Sequence, residues 1–143
     1  MNPLRISEAA SLAMHTMALL AAYPDQALAT RDMASSLRVS EAHLAKVMQR
    51  LGRAGLVNSF RGPKGGFSLA KPGDQITLLD VFQAVEGPLQ PPGCLLGKPA
   101  CQGDCILGGL LSRIGQEVRD YFSRTRLSDL NGSFQLEDRH AQG

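Results

Sequence analysis

Cys94, Cys101 and Cys105 are the only cysteines in a chain of 143 residues, and all three fall within twelve positions as Cys-x6-Cys-x3-Cys. Pro91, Pro92, Gly93, Gly97, Pro99 and Gly103 surround them, a turn-rich composition in which thiols have no core to fill. Clustered thiolates suit zinc or an iron–sulfur cluster, and three of them leave one coordination position to another residue. Cys105 is expected to start a helix, whose positive dipole end favours a thiolate or an anionic cluster. An odd cysteine count argues against a secreted disulfide framework and for a cytoplasmic protein with reduced thiols.

A second set of residues points to a polyanion. Between Arg31 and Lys71 stand eight basic residues against two acids, Asp32 and Glu41. That local surplus of six positive charges sits in a chain of net charge +2, so the remainder is net negative. Nucleic acid is the commonest partner of such a patch.

The elements that must position these residues follow from the spacing of apolar side chains. Residues 7–23 read as a helix: Ala9, Ala13, Met17 and Leu20 recur at helical spacing, Ser7 caps the start and Pro24 stops it. Thr30 is expected to cap a short helix over 31–37, and Arg38-Val39 makes a tight connection. Ser40 caps a third helix with the stripe Leu44, Val47, Met48 and Leu51, and Gly55 ends it. Two helices joined by a few residues, behind a supporting first helix, form a helix-turn-helix. Strands over 56–60 and 67–69 flank the loop Arg61-Gly-Pro-Lys64-Gly-Gly, which makes a β-hairpin wing with a basic tip.

Thr77 and Asp80 are spaced for a capping box on the next helix, with Leu78, Val81, Phe82 and Val85 on its apolar side and Gly87-Pro88 at its end. A loop over 89–104 carries the cysteines. A long helix over 106–125 follows, in which Leu107, Leu111, Ile114, Val118 and Tyr121 make an a/d-like seam suited to a partner helix. The polar segment 133–143 is expected to fray. The fold class is therefore mainly α with a small β-hairpin wing. Residues 1–87 are a winged helix-turn-helix DNA-binding domain, 88–105 a cysteine-bearing cluster loop, 106–130 a dimerisation helix and 131–143 a flexible tail.

In a helix-turn-helix, residues near the start of the second helix reach base edges in the major groove. Here these are Ser40, Glu41 and His43, with Lys46 and Arg50 placed to meet phosphates. Glu41 can accept from cytosine or simply favour the positive helix end. Arg61 on the narrow wing can enter a minor groove, beside Lys64 and glycines that let the backbone approach a phosphate chain. His15 and His140 fall in no motif, and His15 is read as structural.

The run Gly55-LVNSFRGPKGGFSL-Ala70 resembles the wing of the Rrf-type winged-helix transcriptional regulators, the bacterial family of IscR-like and NsrR-like proteins. The run Gln75-ITLLDVFQAVE-Gly87 resembles the family's next helix, and the resemblance spans roughly residues 4–127. It implies a homodimer on a palindromic double-stranded DNA operator, commonly acting as a repressor. It also implies that the three cysteines hold an iron–sulfur cluster, although their spacing departs from the family's more even pattern. IscR-like members have a histidine one helical turn beyond the third cysteine, and Ile106-Leu107-Gly108 offers none. NsrR-like members use an acid early in the partner's first helix, where Glu8 stands. The implied site is Cys94, Cys101 and Cys105 with Glu8 from the other subunit, which favours 4Fe–4S over 2Fe–2S or zinc.

The expected function is a cytoplasmic, non-enzymatic regulator whose DNA binding is tuned by a cluster responding to redox state, nitric oxide or iron. A zinc-bound or metal-free thiol regulator of the same fold is the first alternative. A small iron–sulfur electron carrier is a second, and the basic helix and wing argue against it. No apolar run approaches the ~20 residues needed to span a bilayer.

Overall fold

The computed structural model describes residues 6–90, 94, 96, 98, 100–103, 105–130, 132, 134 and 136. Helix α1, Glu8–Ala21, is the central element. The Ser7 hydroxyl caps it by accepting from the Ala10 N–H at 3.0 Å. Ala10, Leu12, Ala13, Thr16, Met17, Ala18, Leu19 and Leu20 are all buried, so α1 is covered on nearly every side and not on one stripe. Its one buried hydroxyl is satisfied internally, since Thr16 Oγ1 donates to the Leu12 carbonyl at 2.7 Å.

Helix α2, Thr30–Leu37, starts one residue before its expected start. Its N-cap is Ala29, with no side-chain bond, and Thr30 is the first helical residue. The cause lies upstream. Leu28 is held extended by a two-way backbone bridge to Phe67, both bonds at 2.8 Å, and Ala29 continues in extended geometry. Arg38 then turns the chain with a left-handed φ of 56°. Ser40 caps helix α3, Glu41–Arg53, through the His43 N–H at 3.3 Å. Leu44, Val47, Met48 and Leu51 face the core as their spacing requires, and Gly55 leaves the helix at φ 76°.

Strands β1, Val57–Phe60, and β2, Gly66–Leu69, pair antiparallel with Val57 opposite Leu69 and Phe60 opposite Gly66. The bridge from Phe67 to Leu28 pins this hairpin to the α1–α2 connection. Only glycine fits at 66: a Cβ there would lie 2.2 Å from the Leu28 carbonyl oxygen, and φ is +148°.

A 3-10 turn over Gly73–Gln75 leads to α4, Leu78–Glu86, with the expected reciprocal capping box between Thr77 and Asp80 at 3.0 and 3.1 Å. Helix α5 is shorter than the spacing suggests and runs Leu110–Arg124. Gly108 takes φ +57° and Gly109 is an uncapped N-cap, so the helical pattern over 106–109 is realised only as turns. At the other end Thr125 is extended. The chain there pairs with the approach to α4: Leu78 N–H donates to Thr125 and Leu127 N–H to Ile76, each at 3.0 Å. Leu127–Leu130 closes as a 3-10 turn, with Leu127 fully buried.

In the segment expected to be a flexible tail, the described residues Phe134 and Leu136 contact α1 and the turn after it. The Phe134 ring packs edge-on to His15 at 5.2 Å, and the Leu136 N–H donates to the Tyr23 hydroxyl at 3.0 Å. Apolar side chains in a polar segment thus have an apolar place to go. His140 lies outside the described residues.

Candidate functional site

The elements expected to form the reading head are α2, the Arg38 turn, α3 and the β1–β2 wing. α3 turns its apolar stripe inward and leaves Glu41, Ala42, Lys46, Gln49 and Arg53 exposed on the opposite side. Ser40 and Glu41 stand at its free N-terminal end, with Ser40 spending its side-chain oxygen on the cap. His43 is half-buried and turns toward α1. Arg50 is exposed, and its guanidinium donates to the Val85 carbonyl at 3.3 Å, at the C-terminal end of α4. Arg50 therefore ties α3 to α4 as well as carrying charge.

Gln49 and Arg53 share the exposed face and are not among the expected contacts. Their signal was available: they lie opposite Leu44, Val47, Met48 and Leu51 on a helix of period 3.6. Gln49 is the one side chain there able to donate and accept at a base edge.

At the wing, Arg61, Gly62, Pro63 and Lys64 are all exposed. A Cβ at Gly65 would fall 2.4 Å from the Phe60 carbonyl oxygen, so the loop folds tightly onto its own strand. The tip is a compact protrusion with two cationic side chains, carried by strands anchored to Leu28.

The cysteine region is built differently. Cys94 is half-buried, while Cys101 and Cys105 are exposed and all three are free thiols. Among the described residues no three His, Cys, Asp or Glu side chains gather into a group that could hold a metal ion. Cys105 does not begin a helix. It precedes turns over 106–109, its carbonyl accepts from the Gly108 N–H at 2.9 Å, and α5 starts five residues later. The dipole assistance expected at that thiol is therefore absent.

The donor chemistry still fits a thiolate-held cluster, with three thiols in a turn-rich segment between α4 and α5. Glu8 is exposed in the first turn of α1, beside Ser7, whose hydroxyl donates to the carboxylate of Glu86 at the end of α4. That bond places Glu8 near the point where α4 gives way to the cysteine segment. Arg119 of α5 donates to the Leu89 carbonyl at 2.5 Å, which fastens the start of that segment to α5.

Four of the five expected seam residues lie on α5 and are partly covered; Leu107 falls in the turns before it. Leu111, Ile114 and Val118 are half-buried and Tyr121 is 45% exposed; Phe122 is the helix's one buried residue. Ile106, just before it, is 94% exposed. Among the described residues no helix is long and apolar enough to cross a membrane.

Comparison with known proteins gives these features a context. Residues 6–132 match the family model Rrf2, described as iron-dependent transcriptional regulator. A protein of Aquifex aeolicus named as an HTH-type transcriptional regulator is 30% identical over 138 residues, covering 94% of each chain. The HTH-type transcriptional regulator IscR of Erwinia tasmaniensis is 32% identical over 101 residues, 69% of this chain and 61% of that one. Among solved structures, CymR, the global cysteine regulator of Bacillus subtilis, superposes with a TM-score of 0.73 at 27% identity, over 90% of this chain and 97% of that one.

Proposed function

The chain belongs to the Rrf2 family of transcriptional regulators, and from that premise we propose that it is a cytoplasmic homodimeric repressor of a palindromic operator, tuned by an iron–sulfur cluster. The family match carries the DNA-binding part: this is a winged-helix transcription regulator, and its relatives are not enzymes. The proposal adds the residues. Glu41, Lys46, Gln49 and Arg53 of α3 would face the major groove, with Ser40 and His43 at its entrance and Arg50 braced at its rim. Arg61 and Lys64 would meet the minor groove and its phosphates.

One observation carries the sensing part: every thiol of the chain lies in the one segment that joins the reading head to α5. Cys94, Cys101 and Cys105 would supply three ligands and Glu8 of the partner subunit the fourth. When bound, such a cluster supplies iron–thiolate bonds sensitive to oxidants and nitric oxide. The chain's own part is mechanical. Ser7 of α1 and Arg119 of α5 both hold the start of this region, at Glu86 and at Leu89, so a change in the segment's conformation would alter the angle between head and α5. In a dimer joined along α5, that angle sets the spacing of two reading helices on half-sites about 34 Å apart.

A second reading, a thiol regulator without metal, is favoured by the exposure of Cys101 and Cys105 and by the lack of a pre-gathered ligand group among the described residues. The likeness to CymR points the same way. The visible spectrum of anaerobically purified protein, with iron and acid-labile sulfide assays, separates the two. Broad visible absorption with about four irons and four sulfides per chain supports the 4Fe–4S reading. A colourless protein after anaerobic reconstitution overturns it and leaves the thiol reading. Independently, operator affinity should fall with salt at a log–log slope of about −0.9 per phosphate contacted. A flat salt response would remove the DNA-facing assignments.

A further inference from the structure

A cleft of about 560 Å³ opens where the first two turns of α1 face the turn between α2 and α3. Leu12, Leu37, Val39 and Phe134 give it apolar walls. Arg38, His15, His43 and Glu8 line it as well. A concavity of roughly 300–1,000 Å³ with apolar walls and a few converging polar groups is the form of a small-molecule site.

Three features indicate what it would hold. Arg38 is the one described non-glycine residue with positive φ, at a position where glycine fits more easily, and it lines the cleft. Among the described residues its guanidinium has no ion-pair partner. His15 is held in place, with Nδ1 donating to the Ser11 carbonyl at 2.6 Å and its ring against Phe134, so Nε2 is left over for an occupant. His43 and the N-terminal end of α1 also line the cleft, with Glu8 the one acid in the lining and Glu86 bonded to Ser7 at its edge.

We propose that this cleft binds a small organic acid, its carboxylate on Arg38 and its apolar body between Leu12, Val39 and Phe134. The occupant touches His43, in the first turn of the reading helix, so binding is coupled to operator affinity and each ligand alters the other's affinity by the same factor. The site goes beyond the cluster reading and needs neither metal nor cysteine.

The test is a titration of the purified full chain followed by the ring protons of its three histidines, with phenylacetate, hexanoate and, as a charge control, hexylamine. The His15 and His43 signals are assigned with His15→Gln and His43→Gln. Both acids should shift these two signals saturably, with dissociation constants below about 1 mM, and hexylamine should not. Arg38→Gly and Arg38→Asn both suit a left-handed backbone, so the fold and its Tm should be kept while acid affinity falls about tenfold. Absence of saturable shifts up to about 10 mM overturns the proposal, as does an equal response to hexylamine or undiminished affinity in a folded Arg38 variant. The readout needs no DNA and no cluster, so it stands or falls apart from the operator and cluster assignments.

Discussion

Helix α3 has 13 residues and buries all four members of its apolar stripe to 2% exposure or less; α5 has 15 residues and buries only Phe122. The wing is tied to Leu28 by two short backbone bonds, whereas the cysteine segment leaves two of three thiols exposed. Both helices are amphipathic, so the difference is not one of pattern. Helix α3 has α1 and α4 to pack against within its own chain, while the α5 seam is only half-buried in one copy, with Val118 packed against the core and Tyr121 exposed. The helix-turn-helix and wing pack completely within one chain, while α5 and the cysteine segment leave partly exposed apolar side chains and thiols.

The largest effect should come from breaking the pinned side. Gly66→Val places a Cβ against the Leu28 carbonyl and forces a branched residue to φ +148°. A loss of about 3 kcal/mol or more is expected in urea unfolding. Gly52→Ala is the matched control, because nothing lies within 4 Å of the added Cβ and α3 is helical there. It should gain up to about 1 kcal/mol. Equal stability of the two variants would mean that the wing is not held as described.

On the open side, Ile114→Glu should leave monomer stability within about 0.5 kcal/mol of wild type, since Ile114 does not pack on the main core. It should instead break a dimer, seen by sedimentation velocity, and lower operator affinity about a hundredfold through lost bivalency. If Ile114→Glu unfolded the chain and left its association state unchanged, the contrast between the halves would fail.

The same contrast explains what the sequence could reveal. The stripe of α3, the Ser40 cap and the Thr77–Asp80 box are local signals, settled by side chains within one turn of each other, and they appear where their spacing puts them. The start of α5 was misplaced because a 3.6-residue pattern over 106–109 said helix while Gly108 and Gly109 cost too much to join it. The ends of α2 and α5 depend on backbone pairing with residues 39 and 49 positions away, Leu28 with Phe67 and Thr77 with Arg126, which no local pattern encodes. The docking of Phe134 on His15 is of the same kind. At the site, residue types identified a basic head and a thiol segment, but only burial showed that His43 turns toward α1 and that Gln49 and Arg53 share the outer face.

Arg61→Ala probes whether the exposed wing tip acts on DNA without touching the fold. Arg61 is exposed, so Tm should not move measurably, while operator affinity should fall about tenfold with a shallower salt slope. Iron content and association state should match wild type. Unchanged affinity in gel-shift titration would take Arg61 out of the interface and leave α3 as the sole reader.

The smallest effect is the most discriminating about local structure. Ser40 and Thr30 look alike in sequence, each a hydroxyl before a helix of the reading head, yet only Ser40 Oγ accepts a backbone N–H. Ser40→Ala leaves the His43 N–H without that partner at a partly exposed helix end, at a cost of about 1 kcal/mol. Thr30→Ala removes no cap and replaces a β-branched residue inside a helical turn, so it should be neutral or slightly stabilising, by a few tenths of a kcal/mol. Paired thermal unfolding under one buffer resolves a difference of that size, several degrees in Tm for a domain of this length. The order matters more than the magnitudes. If Thr30→Ala were the costlier variant, the cap of α2 would be Thr30 after all, and the Leu28–Phe67 bridge would not be what sets the start of that helix.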